Sequence, residues 1–264
     1  MKTLNLRKSL VAANLLFAMT FTLSCSSDDD NETIGTCNGI KYNTAHFHCD
    51  IYGTIQEGAE DSNGGSSSSP SCDNASTGLA TVTCGGQTYK TVQIGNQTWM
   101  AENLNYYVSG SACYDNESSN CAVYGRLYNW ATAMDLQSCN YRICASQIQS
   151  KHQGICPEGW HIPSEDDWSK LFDYVGGSSV AGKHLKEDTY GFSALLGGGC
   201  ADCHGYDGYS YRGFSYGGNL GNWWSSGELF EDAAYSRGIR NDDDFAIRYE
   251  NMKADLWSVR CLLD

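Results

Sequence analysis

The chain is poor in proline, in basic side chains and in long apolar runs. Of its 264 residues only 3 are proline, and 17 Lys and Arg stand against 31 Asp and Glu, which makes the formal net charge -14. Nucleic acids and anionic lipids bind clustered Lys and Arg, so this composition excludes nucleic acid as an expected partner. No apolar run reaches the roughly 20 residues that a membrane-spanning helix needs.

Glycine, tyrosine, tryptophan and cysteine are abundant instead. The chain holds 29 Gly, 17 Tyr, 7 Trp and 13 Cys. Rigid aromatic rings beside glycine and small polar residues are typical of binding loops. The same composition is also typical of an exported scaffold with many turns, so both interpretations stay open.

The N-terminus has the pattern of an export signal. Three basic residues within the first eight precede an apolar run over residues 10–23, which ends at Ser24 and Cys25. Basic residues, a short apolar core and a small residue before a cut predict a signal peptide over residues 1–24. Cys25 resembles the lipidated cysteine of a bacterial lipoprotein, although Thr22 occupies a position that is usually aliphatic. We expect an acidic tether over 25–36, a lipid on Cys25 as the only membrane attachment, and an outer-membrane or cell-surface location.

The cysteine count agrees with export. Thirteen cysteines less a lipidated Cys25 leave twelve, an even number, as disulfide-rich exported proteins have. Residues 37–84 are small, polar and punctuated by cysteine, and we interpret them as a linker region with short disulfide loops. The predicted short-range pairs are Cys37–Cys49, Cys72–Cys84, Cys113–Cys121 and Cys139–Cys144.

One stretch after Cys156 has all the signals of a helix. Ser164 is followed three residues later by Asp167, which is near capping-box chemistry. The apolar residues that follow fall at i, i+3, i+4 and i+7: Trp168, Leu171, Phe172 and Val175. Gly176 and Gly177 then end the pattern. We predict a helix over 164–176.

The last residues alternate as a strand does and carry the final cysteine. Residues 257–261 read Trp-Ser-Val-Arg-Cys. We predict that Cys261 pairs with Cys156, which joins the start of the main helix to the final strand. A bridge that closes a loop of about 100 residues stabilises a fold by roughly 4–5 kcal/mol in the chain-entropy description.

The remaining elements follow from periodicity. Strand patterns around Gly95-Asn96 predict a hairpin of residues 87–94 and 97–100. Apolar residues at helical spacing, Leu127, Trp130, Ala131 and Met134, predict a first helix over 126–135. The strands predicted in the second half are 192–196, 223–226, 233–240, 245–249 and 256–262.

Four ordered motifs carry a family resemblance. They are Gly-Arg-Leu-Tyr-Asn-Trp-Ala-Thr-Ala-Met at 125–134, Cys-Pro-Glu-Gly-Trp-His-Ile-Pro at 156–163, Trp-Trp-Ser-Ser at 223–226 and Ser-Val-Arg-Cys at 258–261. Over about residues 85–264 the chain resembles the Fibrobacter succinogenes major paralogous domain. The resemblance implies an α+β, C-type-lectin-like fold that is rich in disulfides, with two main helices, antiparallel sheets and long loops. That wider fold also includes the formylglycine-generating-enzyme-like domains, to which the family is distantly similar, and the family name carries no established activity.

Cofactor motifs are few. Cys200-Ala-Asp-Cys203-His204 matches the c-type haem pattern, but no apolar run surrounds it, so we favour a disulfide at Cys200 and Cys203, closed locally or across the loop. The usual calcium-dependent sugar site of the lectin fold needs a Glu-Pro-Asn or Gln-Pro-Asp loop, and no proline follows Pro163. The aspartates of residues 202–207 and 242–244 still offer oxygen ligands, so calcium stays open.

The glycine-rich loop over residues 200–218 is the candidate binding surface. Its candidate ligand-binding residues are Tyr206, Asp207, Tyr209, Tyr211, Arg212 and Tyr216. Aromatic rings stack on sugars or bury against protein partners. We expect Trp223, Trp224 and Phe214 to be core. The sequence predicts non-catalytic binding of a glycan or a cell-envelope protein; the alternatives are an enzyme of the formylglycine-generating type and a purely structural surface protein.

Overall fold

The computed structural model describes residues 80–201 and 213–264 in full, and elsewhere only the backbone of five short strands. The chain divides into two compact units, Met1–Ser66 and Ser67–Asp264. The predicted lipidation of Cys25 and the predicted Cys37–Cys49 bond lie outside what the structure describes, as do loop residues 202–212.

The first unit contains only β-strands in its described part. These strands are β1 (Ser26–Ser27), β2 (Ile34–Cys37), β3 (Ile40–Asn43), β4 (Phe47–Cys49) and β5 (Ile55–Glu57). β1, β2 and β3 form an antiparallel sheet, and β4 pairs with β5.

The second unit combines short helices with antiparallel sheets, which confirms the predicted α+β class. Its strands are β6 (Thr81–Cys84), β7 (Gln87–Ile94), β8 (Gln97–Met100), β9 (Leu127–Tyr128), β10 (Trp160–His161), β11 (Gly199–Cys200), β12 (Phe214–Ser215), β13 (Leu220–Glu228), β14 (Ala233–Arg240), β15 (Ala246–Met252), β16 (Trp257–Ser258) and β17 (Leu262–Leu263). Its helices are α1 (Ser118–Tyr124), α2 (Trp130–Ala133), α3 (Glu165–Tyr174) and α4 (Ser178–Lys186), with 3-10 turns at Tyr114–Asn116, Gln137–Cys139 and Ala145–Gln147.

Two five-stranded sheets organise this unit. One has the order β10-β17-β8-β7-β6 and the other the order β15-β14-β13-β16-β9. The pairing of β13 with β16 is parallel, and every other described pairing in these sheets is antiparallel. The first sheet contains the predicted hairpin and begins at Thr81, four residues ahead of the predicted domain boundary at 85.

The main helix is α3, and the local signals account for it. Asp167 N donates to Ser164 Oγ at 3.2 Å and Ser164 N donates to Asp167 Oδ2 at 3.0 Å, which is the reciprocal capping box. The helix ends before Gly176 and Gly177, whose φ angles of 109° and 92° favour glycine. All four apolar residues of the predicted stripe are buried, in a cluster with Leu262 of the final strand. The predicted helix and its buried face are confirmed.

The helix predicted over 126–135 is only partly correct. Leu127 and Tyr128 form strand β9, whose backbone pairs with β16, and Leu127 also exchanges two hydrogen bonds with Ala112. Asn129 Oδ1 accepts a 2.8 Å hydrogen bond from Thr132 N, which starts the four-residue helix α2 only after the strand. The apolar stripe is buried as predicted, but its first residue reaches the core from a strand.

The strand predicted over 192–196 is absent. The carbonyl oxygens of Phe192 and Ser193 accept hydrogen bonds from the Arg260 guanidinium instead of from a neighbouring strand. Ser193 has a φ angle of 51°, which is incompatible with extended backbone. The side chain of Phe192 is still buried in the core.

Three of the predicted disulfides are present. Cys156–Cys261, Cys113–Cys121 and Cys139–Cys144 have Cα separations of 5.9, 5.0 and 6.0 Å. Cys84 and Cys200 are also disulfide-bonded, and their predicted partners, Cys72 and Cys203, lie outside the described residues.

Candidate ligand-binding cleft

A cleft of about 430 Å³ lies on one face of the sheet that contains β13 to β16. This volume falls within the roughly 300–1,000 Å³ of small-molecule sites. Three aromatic residues line the cleft: Tyr216, Tyr249 and Trp257. Four asparagines line it as well: Asn219, Asn222, Asn241 and Asn251. Arg240 and Asp242 supply its charges.

The floor of the cleft consists of Asn222, Tyr249 and Trp257. Strand register places two of them side by side. Asn222 on β13 faces Gly238 on β14. On its other side, the pairing of Trp223 with Ser258 in the parallel pair of β13 and β16 sets Asn222 beside Trp257. Side chains alternate between the faces of a strand, so the flanking Trp223 points to the opposite face, where it packs in the α3 cluster.

Gly238 makes room for the ring of Tyr249 on the floor of the cleft. A Cβ atom added at Gly238 would overlap the ring of Tyr249 and would lie 3.3 Å from Asn222 Oδ1. The missing side chain lets the Tyr249 ring lie against the backbone of β14. Only glycine at this position leaves room for the Tyr249 ring, which gives the cleft an aromatic surface.

A hydrogen-bond chain across three strands orients the amide of Asn222. Ser236 Oγ donates to Asn222 Oδ1 at 2.8 Å, and Asn251 Nδ2 donates to Ser236 Oγ at 2.6 Å. Asn222 is only 1% exposed. Its Oδ1 is directed to Ser236, and its Nδ2 donates to no residue in the described part of the chain.

The rim of the cleft is polar and exposed. Asn241 Nδ2 donates to Asn219 Oδ1 at 2.9 Å, which joins the two loops that border the cleft. Arg240 Nε lies 3.7 Å from Asp242 Oδ1, an exposed ion pair that contributes little stability. Tyr216 is 51% exposed and has a φ angle of 66°.

One of the predicted ligand-binding residues lies at this cleft. Tyr216 is part of its rim, and Ala201, the last described residue before the glycine-rich loop, also lines it. Tyr206, Asp207, Tyr209, Tyr211 and Arg212 lie outside the described residues. Of the three aromatics predicted to be core, Trp223 and Trp224 are fully buried and Phe214 is half-buried.

The sequence analysis did not predict the floor residues as binding residues. Asn222, Tyr249 and Trp257 come from three strands that are distant along the chain. The one local signal is Asn222, a polar residue directly before two buried tryptophans in a strand. Buried polar groups need a hydrogen-bond partner, which a bound ligand can supply, so a residue of this kind is a candidate binding residue.

A fully buried lysine forms a separate polar cluster. Lys253 Nζ lies 2.5 Å from Glu228 Oε1 and donates to the carbonyl oxygens of Cys139, Arg142 and Glu231 at 3.0–3.1 Å. The Cys144 N–H also donates to both carboxylate oxygens of Glu228, at 2.9 and 3.0 Å. Both charges are paired within the protein, so this cluster stabilises the Cys139–Cys144 loop rather than presenting a reactive group.

A buried arginine holds the core near α3. Arg260 Nε and Nη2 donate to Asn103 Oδ1 at 3.1 and 2.7 Å, and the guanidinium lies 4.2 Å from the ring centre of Phe192. Burial lowers the pKa of Arg260 to about 9. Asn103 Oδ1 also accepts from Trp223 Nε1 at 2.7 Å, so the arginine is tied to the back of the cleft sheet.

A buried histidine lies between two carboxylates. His161 Nδ1 is 2.7 Å from Asp264 Oδ1, and Nε2 is 3.4 Å from Asp167 Oδ2. Desolvation alone would raise the pKa of Asp167, but hydrogen bonds from His161 and Ser164 outweigh it and lower this pKa to about 2. Ser164 Oγ donates to Asp167 rather than to the histidine, so this arrangement lacks the serine–histidine contact of a nucleophilic triad.

The described residues contain neither a metal-binding cluster nor a membrane-spanning helix. Residues 80–201 and 213–264 contain no group of three His, Cys, Asp or Glu side chains placed to hold a metal ion. Within that same part of the chain, no helix has the length and apolar character needed to cross a membrane.

Comparison with known proteins identifies one family. The family model described as Fibrobacter succinogenes major domain matches residues 92–262, which lie within the predicted domain of 85–264. No curated protein and no solved structure matches the chain.

Proposed function

The chain belongs to the Fibrobacter succinogenes major domain family, and from that premise we propose that it is a non-catalytic, surface-exposed binding lipoprotein. Its ligand is a glycan, held in the cleft on β13 to β16 and by the glycine-rich loop that starts at its edge. We assign the domain to the C-type-lectin-like fold on its sequence motifs.

The observation that carries this proposal is the composition of the cleft. Tyr216 and Tyr249 offer rings to the apolar face of a sugar, and four asparagine amides offer both donors and acceptors to its hydroxyl groups. A cell-envelope protein is a second possible partner, but a concave cleft of this volume suits a small ligand or an oligosaccharide end better.

Export and lipid anchoring complete the proposal. Their support is the basic and apolar N-terminal pattern that ends at Cys25 and the acidic residues that follow it. The test is Cys25→Ser, which should abolish incorporation of an alkyne-labelled fatty acid and release the protein from the membrane fraction. Labelling that persists in this variant would contradict the lipoprotein assignment.

The two alternative functions, an enzyme of the formylglycine-generating type and a structural surface protein, require different features. A formylglycine-generating type of enzyme needs reactive cysteines, whereas every cysteine among residues 80–201 and 213–264 is disulfide-bonded. A purely structural surface protein needs no ligand, and the open cleft with its aromatic and asparagine side chains would then have no role. Both alternatives are weaker than binding on these grounds.

The test of binding is a glycan array and a polysaccharide pull-down with the full chain, with and without calcium. We expect retention on a defined group of glycans. Binding that needs calcium would add a metal to the site. Failure to bind any glycan under both conditions would contradict the proposal.

A further inference from the structure

We propose that the cleft selects sugars that carry a carbonyl oxygen, in an acetamido or a carboxylate group, through two buried N–H donors. These donors are Asn222 Nδ2 and Trp257 Nε1. The inference rests on the proposed function and defines its ligand class.

The two donors belong to neighbouring strands. Because Trp223 pairs with Ser258 in the parallel register of β13 and β16, the residues before them, Asn222 and Trp257, lie beside each other. Neighbouring strands are about 4.8 Å apart, which is close enough for two donors to converge on one ligand group.

Both donors belong to buried residues, and neither donates to an acceptor in the described part of the chain. Asn222 is 1% exposed and Trp257 is 3% exposed, and they are the two buried residues among those that line the cleft. Trp257 Nε1 has no hydrogen-bond partner among residues 80–201 and 213–264. Asn222 Nδ2 donates to no described residue, while Asn222 Oδ1 already accepts from Ser236.

The orientation of the two donors is set by the protein. The chain from Asn251 through Ser236 holds the Asn222 oxygen away from the ligand position. The six-membered ring of Trp257 packs on Gly199, where an added Cβ would overlap atoms Cε3 and Cζ3. Nε1 lies on the other edge of the indole, so this packing leaves the N–H group free of Gly199.

A floor with two donors prefers a carbonyl oxygen to a hydroxyl group. A carbonyl or carboxylate oxygen has two lone pairs and no hydrogen, so it satisfies both N–H groups. A hydroxyl group placed there could accept from them as well, but its own hydrogen would still need an acceptor, and Asn222 Oδ1 is held towards Ser236 rather than towards the ligand. Leaving a buried polar hydrogen unpaired weakens binding, so plain hexoses fit less well.

The experiment is a calorimetric titration of the full chain with three tetrasaccharides. They are tetra-N-acetylchitotetraose, tetragalacturonic acid and cellotetraose, which carry acetamido, carboxylate and only hydroxyl groups. We expect at least one of the first two to bind at least about tenfold more tightly than cellotetraose. Which of the two binds identifies the source of the carbonyl oxygen.

Single substitutions then test whether Asn222 and Trp257 supply the two N–H groups. Asn222→Asp keeps the acceptor for Ser236 but replaces N–H with oxygen, and Trp257→Phe keeps a ring but removes the other N–H. Each should weaken binding of the carbonyl-bearing tetrasaccharide at least about tenfold and reduce its advantage over cellotetraose. Asn96→Asp, on the exposed turn of the other five-stranded sheet, adds the same charge as Asn222→Asp and should not change affinity.

The results distinguish the preference for a carbonyl oxygen from glycan binding itself. Equal affinity for all three tetrasaccharides, or unchanged carbonyl preference in a folded Asn222→Asp protein, would overturn this inference and leave glycan binding intact. No binding of any tetrasaccharide, together with a blank glycan array, would overturn both. The melting temperature of each variant shows that the titrated protein is folded.

Discussion

Cys156 is bonded to Cys261, and this bond connects the segment before α3 to the short link between β16 and β17. The bond is three residues beyond Ser258, whose strand also carries Trp257 of the cleft floor. The same disulfide that closes the domain therefore also anchors the strand that carries part of the cleft floor.

Removing this disulfide should destabilise the whole domain. The bridge spans 105 residues of sequence, and the chain-entropy description assigns a loop of that length roughly 4–5 kcal/mol. We expect the Cys156→Ala/Cys261→Ala protein to lose about that much free energy of unfolding in urea. As a control, Cys113→Ala/Cys121→Ala opens a loop of only 8 residues and should cost less. Equal losses in the two variants would contradict the closing role of Cys156–Cys261.

The Lys253–Glu228 pair should show strong coupling. Lys253→Met leaves the carboxylate of Glu228 buried without its 2.5 Å partner, and we expect a loss of about 3–5 kcal/mol in the free energy of unfolding. Adding Glu228→Gln removes the unpaired charge and should recover part of that loss. Urea unfolding of both single variants and the double variant measures the coupling. Additive losses would contradict a paired role for these two residues.

Asp167 should make the free energy of unfolding depend on pH in the acid range. Its pKa is about 2 in the folded protein against an ordinary value of 3.8, so the unfolded chain binds the proton first as pH falls. The contribution is complete above about pH 4 and is lost as pH falls towards 2; it corresponds to about 2 kcal/mol. The difference in unfolding free energy between wild type and Asp167→Asn should shrink over that range. A difference that stays constant from pH 5 to pH 2 would contradict the assignment.

Local patterns and long-range register differ in how far sequence predicts them. The α3 helix was predictable because its cap, apolar stripe and stop lie within residues 164–177. Leu127 and Tyr128 were not, because spacing alone does not show that their backbone is paired with β16. The cleft floor was inaccessible to sequence analysis for the same reason, since only strand register brings Asn222 beside Trp257.

Gly238→Ala should impair binding more than folding. The added Cβ would displace the ring of Tyr249 from the cleft, and we expect binding to weaken by at least about 1 kcal/mol. Gly227→Ala is a matched control in the same sheet, because its added Cβ would lie 3.1 Å from Glu165 and Tyr235 and would contact no cleft residue. The measurement is the dissociation constant for the glycan found on the array, with the melting temperature of each variant. Equal binding by wild type and Gly238→Ala would remove Tyr249 from the site.

The most direct test of the glycan-binding cleft compares two tyrosines on opposite faces of the same sheet. Tyr249 lines the cleft, whereas Tyr235 lies on the other face, where Arg248 sits 4.7 Å from its ring centre. Titration of the array-identified glycan should show at least about tenfold weaker binding for Tyr249→Ala and unchanged binding for Tyr235→Ala, with both proteins folded. Wild-type affinity in the folded Tyr249→Ala protein would contradict the account.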